Sequence, residues 1–162
     1  MAVKPLVSAN SKILRQPASS INKFDSDLKQ LLLNIEDTLY DCEASALCAP
    51  QIGVSQQAAI IDMEAEGLLQ LINPKIVRQS DETITDLEGD VSFPGVFGTV
   101  ERSKMIVVQS NDVQGNTVEL TAYDDVARML LHIIDQLEGI PFTDKIEKQL
   151  TEEELEAYLE DE

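Results

Sequence analysis

The sequence has few of the side chains on which metal and redox sites are usually built. Its 162 residues contain no tryptophan, one histidine and two cysteines. Because His132 is the only imidazole, any mechanism that needs two histidines from one chain is excluded. Cys42 and Cys48 have five residues between them, so no C-x-x-C spacing exists to hold a metal or carry out redox chemistry. We expect both thiols to be reduced, as is usual in the cytosol.

Basic residues and long apolar runs are also scarce. Twelve lysines and arginines stand against thirty aspartates and glutamates, which gives a formal net charge of −18. A surface this negative repels phosphate backbones and anionic lipids, so we expect no binding to nucleic acid or to a membrane. The longest apolar runs are short, such as residues 58–61, and the first residues lack a signal-peptide core. These absences predict a cytoplasmic protein.

The composition that remains is that of a globular protein. Apolar residues make up 43% of the chain and charged residues 26%, a balance that distinguishes folded domains from disordered segments. No internal repeat and no Gly/Ser-rich linker divides the chain, and its length suits one domain. We therefore predict a single domain over residues 1–162.

Hydrophobic periodicity predicts a first helix and a series of strands. Apolar residues from Leu28 to Leu39 recur at helical spacing after the capping candidates Asp25 and Ser26, and we place the end of this helix at residues 40–42. Proline and glycine indicate irregular backbone at 44–54 and 92–98, and Pro74 predicts a bulge or a sheet edge. Five segments rich in strand-forming residues are predicted to be strands: 57–63, 69–77, 83–87, 104–110 and 117–123.

A second helix is predicted over residues 125–138, with Asp124 as its cap and Gly139 as its end. Eight of the twelve residues from 126 to 137 are apolar and lie on nearly every face, which is typical of a buried helix. A last helix follows Thr151, which forms a capping box with Glu154. Together these elements predict an α+β fold, with antiparallel sheets packed around the central helix and helices near both termini.

Three segments contain residue combinations that point to chemistry rather than to scaffold alone. They are Leu47–Gly53, which contains Pro50 and Gln51; Leu87–Pro94, with the run Glu-Gly-Asp-Val-Ser; and Leu131–Gly139, with His132, Asp135 and Gln136. In this order they resemble the three motifs of the peptide deformylases: G-x-G-x-A-A-[PT]-Q, E-G-C-[LV]-S and Q-H-E-x-D-H-L. The resemblance covers almost the whole chain and implies a peptide-deformylase-like fold.

The resemblance also implies a chemistry. Peptide deformylases are metal-dependent hydrolases that remove the formyl group from the N-terminal methionine of new bacterial polypeptides. In that family a cysteine thiolate and two histidines hold a divalent metal such as iron or zinc, which lowers the pKa of a bound water. A glutamate takes and returns the proton, while the loop glutamine and a backbone N–H stabilise the oxyanion.

Carried over residue by residue, the resemblance predicts that this machinery is degenerate. Asp90 occupies the position of the cysteine ligand, Gln136 that of the second histidine and Ile133 that of the general base, whereas His132 is retained. Gln51 and Val91 occupy the oxyanion positions. We therefore expect no deformylase catalysis and no metal cofactor. When catalytic residues act as a unit, their loss lowers the reaction rate by several orders of magnitude.

Two alternatives concern the degenerate metal site itself. Asp90 can pair with His132 and fill the space that a metal would occupy. Alternatively, Asp90, His132 and Gln136 can form a remodelled metal site, which would make the protein an active metal-dependent deformylase or amidase.

Other residues bear on binding rather than on chemistry. A retained cleft would bind a peptide N-terminus or a small molecule, although Arg102 can equally form a surface ion pair. The acidic C-terminal stretch 152–162 is a solvated face or, as a third alternative for function, an interaction module. The candidate cleft residues are Gln51, Glu88, Gly89, Arg102 and Met129.

Overall fold

The computed structural model describes residues 2–160 and contains three α-helices and eight strands within that range. Asp161 and Glu162, the end of the acidic C-terminal stretch, lie outside the described residues. In chain order the elements are α1 (Ser26–Asp41), β1 (Ala46–Cys48), β2 (Ala58–Asp62), β3 (Leu68–Gln79), β4 (Thr83–Glu88), β5 (Gly98–Ser103), β6 (Met105–Asn111), β7 (Thr117–Tyr123), α2 (Asp124–Leu137), β8 (Lys148–Gln149) and α3 (Glu152–Glu160).

The strands form two antiparallel sheets. One contains five strands in the order β1-β2-β3-β6-β7, and the other contains three in the order β4-β5-β8. The register between β3 and β6 shifts between Ile72 and Lys75, where Pro74 cannot donate a ladder hydrogen bond. The predicted α+β class is confirmed, and Pro74 marks a bulge within the sheet rather than an edge.

Helix α1 forms because its start is capped and one of its faces is apolar. The Asp25 side chain accepts a hydrogen bond from the backbone N–H of Leu28, which satisfies one of the free donors of the first turn. The apolar stripe from Leu28 to Leu39 is buried, and it packs with residues of β1, β2 and the first half of β3. This cluster covers one face of the five-stranded sheet.

Helix α2 lies between the two sheets and contacts strands of both. Its apolar residues, including Leu130 and Ile134, pack with the other face of the five-stranded sheet. The three-stranded sheet adds only a small apolar cluster of Leu14, Phe93, Val100 and Phe142. The polar side of α2 is therefore the part of the helix that faces the space between the sheets.

Several local features differ from the sequence-based expectations. The segment expected to be irregular from residue 44 contains β1, and strands β5 and β8 were not anticipated. Asp124 does not cap α2: the cap is Tyr123, and Asp124 is the first helical residue with a φ of 53°. Its backbone N–H donates to the Lys104 carbonyl, which ties the helix start to the residue before β6. Among residues 2–160, no helix is long and apolar enough to span a bilayer.

Candidate functional site

A cleft of about 500 Å³ opens between the two sheets. One wall is formed by residues 43–46, where the chain leaves α1 and enters β1, and the other by residues 87–91 at the end of β4. The floor is formed by α2, through the side chains of Arg128, Met129, His132 and Ile133. Two edge strands and one face of a helix therefore enclose the site.

Gly89 follows the end of β4 and lies against the ring of Phe97. A Cβ atom at this position would lie 2.6 Å from Cε1 of Phe97, a separation that real Cβ atoms do not tolerate. A side chain at this position would displace the Phe97 ring, which favours glycine in the Glu-Gly-Asp run. Glu88 and Asp90 lie on either side of this glycine, facing α2.

The Glu88 carboxylate is the centre of a buried ion cluster. Arg102, from β5, donates to both of its oxygens, from Nε at 2.8 Å and from Nη2 at 2.9 Å. Arg128 and His132, both from α2, donate to the same carboxylate at 2.7 Å and 2.8 Å. Burial alone would raise the pKa of Glu88, but Arg102 and His132 lower it to about 2.

The ion cluster extends from Arg102 to the end of α2. The Nη1 group of Arg102 donates to Asp135 at 2.6 Å, and Lys145 donates to the same carboxylate oxygen at 2.9 Å. Arg102 is only 5% exposed and is absent from the cleft lining. It is therefore neither a cleft residue nor part of a surface ion pair; its guanidinium joins β4, β5 and α2 behind the cleft. We use "ion cluster" for Glu88, Arg102, Arg128, His132, Asp135 and Lys145.

His132 is oriented by contacts on three sides. Its Nδ1–H donates to Glu88, and its ring stacks on Phe142 with centroids 5.4 Å apart. Its Nε2 atom lies 3.8 Å from Asp90 Oδ2, which is within ion-pair range but beyond a hydrogen bond. Burial lowers the pKa of His132, but the Asp90 and Glu88 carboxylates outweigh burial and raise it to about 9. The closest partner of His132 is therefore Glu88, and the pairing of His132 with Asp90 that the sequence suggested is a longer ion pair.

Asp90 is held by two amide side chains. Gln51 Nε2 donates to Asp90 Oδ1 at 3.0 Å, and Gln136 Nε2 donates to Asp90 Oδ2. The other hydrogen of the Gln51 amide goes to Ser92 Oγ at 2.9 Å. Both Gln51 hydrogens are thus used inside the protein, and Gln51 is absent from the cleft lining. This arrangement differs from the expectation that the Gln51 amide would be free to stabilise an oxyanion or to bind a ligand.

Cys48 completes this group of polar side chains. Its thiol lies 3.3 Å from Gln51 Oε1 and 3.9 Å from Gln136 Oε1, so it contacts both amide oxygens. It is fully buried, and burial raises the pKa of the thiol, which keeps it protonated as a donor. We use "amide network" for Cys48, Gln51, Asp90, Ser92 and Gln136. Each member has a partner within the network, so the buried polar groups satisfy one another.

The backbone of Val91 and the side chain of Ile133 also contribute to the cleft. Val91 lines the cleft, and its backbone N–H makes no hydrogen bond to any of residues 2–160. Ile133 borders the cleft, but its side chain is 1% exposed and packs with the apolar core of α2. An alkyl group at this position cannot transfer a proton.

Sequence reasoning missed Arg128. Its Nη1 donates to Glu88 and to the Val100 carbonyl, and its Nη2 donates to the Ile84 carbonyl at 2.6 Å. It therefore links α2 to both β4 and β5. A signal was present, because Arg128, His132 and Gln136 recur every four residues and must share one face of a helix. Of the candidate cleft residues, Glu88, Gly89 and Met129 line the cleft.

The fold and the cleft together define a domain of the deformylase type. A sequence profile of the polypeptide deformylase family matches residues 3–152. A protein of Staphylococcus aureus (strain MSSA476) named "Peptide deformylase-like" is 63% identical over 159 residues, which are 98% of each chain. A peptide deformylase of Caldicellulosiruptor bescii is 40% identical and covers 96% of this chain and 93% of its own.

Solved structures agree with the sequence relationships. The crystal structure of peptide deformylase from Thermotoga maritima superposes with a TM-score of 0.87 at 33% identity, over 90% of this chain and 99% of that one. A peptide deformylase from Synechococcus elongatus, in complex with actinonin, gives 0.84 at 34% identity, over 99% of this chain and 87% of that one. This chain belongs to the polypeptide deformylase family.

The divalent metal that this family normally uses does not fit the residues present here. Asp90 Oδ2, the atom nearest to His132 Nε2, already accepts a hydrogen bond from Gln136. Gln136 presents its N–H to that carboxylate and its oxygen to Cys48, so no amide lone pair points toward His132. Over the part of the chain that the structure describes, no group of three or more His, Cys, Asp and Glu side chains could hold a metal ion.

We expect Arg102→Met to destabilise the fold strongly. The change leaves the Glu88 and Asp135 carboxylates buried with fewer cationic partners, which typically costs about 3–5 kcal/mol. The measurement is the free energy of unfolding in urea by circular dichroism. The matched control is Arg15→Met, because Arg15 and Asp144 form an exposed pair that is expected to contribute about 1 kcal/mol or less. Equal losses in the two variants would contradict a central role for the ion cluster.

We expect His132 to titrate well above its ordinary pKa of 6.5 and near 9. Because the folded-state pKa is raised, the stabilisation is fully present below pH 6.5 and is lost as the pH rises through 9. Only one histidine exists in the chain, so its Cε1–H signal in a proton NMR titration needs no further assignment. Asp90→Asn should lower the midpoint. A midpoint at or below 6.5 in the unmodified protein would contradict the described contacts.

Proposed function

We propose that this protein is a deformylase family member that has lost deformylase chemistry and keeps a ligand-binding cleft. The observation that carries the proposal is the amide network, in which Gln136 donates directly to Asp90 at the two positions where the family has metal ligands. A carboxylate engaged in this way and a neutral amide are a poor ligand set for zinc or ferrous iron. His132 alone does not hold a catalytic metal.

The proton-transfer step has no candidate residue either. Ile133 stands at the position of the general base. Glu88, a carboxylate of the cleft wall, has its pKa lowered to about 2 and is saturated by cations. Such a carboxylate is too weak a base to take a proton from water at neutral pH. The retained residues therefore support the framework of the site rather than hydrolysis.

The cleft itself is still suited to binding. It has the volume of a small-molecule site, and the Val91 N–H is available to a ligand carbonyl. Residues 43–46 and 87–91 flank the cleft as an edge of each sheet, which suits an extended peptide segment. The Synechococcus elongatus relative was solved in complex with actinonin, which supports ligand binding by this fold, and we propose a peptide N-terminus or a small molecule as the ligand.

The direct test is a deformylation assay on a formyl-Met peptide with protein purified without chelator. Iron, zinc and nickel are added in separate reactions, and the metal content is measured by elemental analysis. We expect formate release at the level of the uncatalysed control and less than stoichiometric metal, because the ligands and the base are replaced together. The Thermotoga maritima relative serves as the positive control.

A contrary result of this assay has a specific meaning. Stoichiometric metal that is lost in His132→Gln, together with formate release, would contradict the proposal and favour a hydrolase with a remodelled Asp90, His132 and Gln136 site. Deletion of residues after Leu150 with loss of a binding partner would instead favour an interaction module in the C-terminal stretch.

Restoring the family residues should restore metal binding. We expect the triple variant Asp90→Cys, Ile133→Glu and Gln136→His to bind zinc at close to one equivalent, because it provides a thiolate and two imidazoles. Ile133→Glu alone is the matched control and should bind none. Adding Cys48→Ala to the triple variant should leave binding intact, which would exclude Cys48 as the thiolate. A folded triple variant without metal would show that positions 90 and 136 no longer lie at ligand distance.

A further inference from the structure

Arg128 is the cleft residue with the most unused hydrogen-bonding capacity. A guanidinium carries five N–H groups, and three of those of Arg128 donate to Glu88, Val100 and Ile84. The Nε–H and one Nη2–H have no partner among residues 2–160. The side chain borders the cleft beside Leu87 and Met129. The hydrogen bonds of the guanidinium to the Val100 and Ile84 carbonyls also hold the side chain in one position. Little side-chain entropy is therefore lost when a ligand binds.

The charge around Arg128 is not balanced within the ion cluster. Glu88 and Asp135 are the carboxylates that bind Arg102, Arg128 and Lys145. Two negative charges therefore face three positive ones, and Arg128 is the only one of these three cations that lines the cleft. The remaining pair, Asp90 and His132, lies together at the other end of the floor. Outside the ion cluster, the Tyr158 hydrogen bond and, to a smaller extent, the charge of Arg128 lower the pKa of Asp86, so this carboxylate also lies near the guanidinium. What Arg128 offers to a ligand is therefore its unused N–H groups rather than an excess of positive charge.

The other carboxylates that line the cleft do not accept hydrogen bonds from Arg128. Glu43 lies on the opposite wall and is exposed to solvent, and Asp90 is held by the amides of Gln51 and Gln136. Neither has a hydrogen bond or an ion pair with Arg128. An anionic group on a ligand would therefore meet Arg128 without displacing an internal partner.

We propose that the cleft selects ligands that carry a carboxylate and that Arg128 is the residue that recognises it. This inference rests on the proposed binding function and names the class of ligand for that site. A guanidinium with two free N–H groups can bind a carboxylate through charge-assisted hydrogen bonds, which an amide of the same shape cannot match. The carboxylate belongs to a free acid terminus or to an acidic side chain.

The experiment compares two pairs of probes by isothermal titration calorimetry. N-acetylmethionine is compared with its carboxamide, and N-acetylglutamate amide with N-acetylglutamine amide. We expect the acid of at least one pair to bind about tenfold more tightly than its neutral partner. This ratio corresponds to a difference in binding free energy of about 1.4 kcal/mol. The pair that shows the preference identifies whether the recognised carboxylate is a terminus or a side chain.

The control variants separate recognition from overall charge. Arg128→Gln should abolish the preference for the acid, whereas Lys145→Gln removes a cation of the same cluster outside the cleft and should leave the preference intact. Should Arg128→Gln fail to fold, the Arg128 Nε–H resonance of the unmodified protein gives the same information, because the acid should shift it and the neutral partner should not.

Two results would overturn the inference in distinguishable ways. Equal affinities within both pairs would refute the role of Arg128 while leaving a binding cleft in place. Absence of binding by all four probes at millimolar concentration would refute the proposed binding function together with the inference. A preference that persists in folded Arg128→Gln would assign the selectivity to another group and would also refute it.

Discussion

The carboxylate of Glu88 is the interaction on which the arrangement of this site depends. It accepts hydrogen bonds from Arg102, Arg128 and His132 and thereby joins β4 to β5 and to α2. Because the apolar cluster of the three-stranded sheet is small, these buried ions fix that sheet against the central helix. The cost of burying the charges is offset only while every partner is present. The ion cluster therefore fixes the shape of the cleft through side chains of the protein itself.

The polar side chains of the site form two connected groups. Glu88 and Arg102 support His132 through buried ion pairs, whereas Asp90 and Gln136 belong to the amide network. The members of the amide network are not independent of one another. Asp90 needs the Gln136 amide as a donor, and the Gln136 oxygen in turn meets the Cys48 thiol. Polar groups that would be orphaned one at a time are satisfied as a set.

Local sequence patterns predicted the helices and strands that have a strong hydrophobic periodicity. They missed short strands that form only because they pair with a distant strand. Helix α1 and strands β6 and β7 lie within a residue or so of their expected bounds. β1 is only three residues long and exists because Leu47 pairs with Ile60, which no local pattern reveals. At the site, the motifs brought positions 90, 132 and 136 together. They could not assign partners, because whether Glu88 or Asp90 bonds His132 depends on how β4 packs on α2.

The buried ion pairs between α2 and the three-stranded sheet affect how the protein responds to heat. The desolvation penalty of buried ions falls as temperature rises, whereas apolar burial gains little beyond moderate warming. Contacts such as Arg102 with Glu88 and Asp135 should therefore weaken less on warming than the leucine-rich packing of α1. In a thermal transition, the outer helix should loosen before the two halves of the binding site separate.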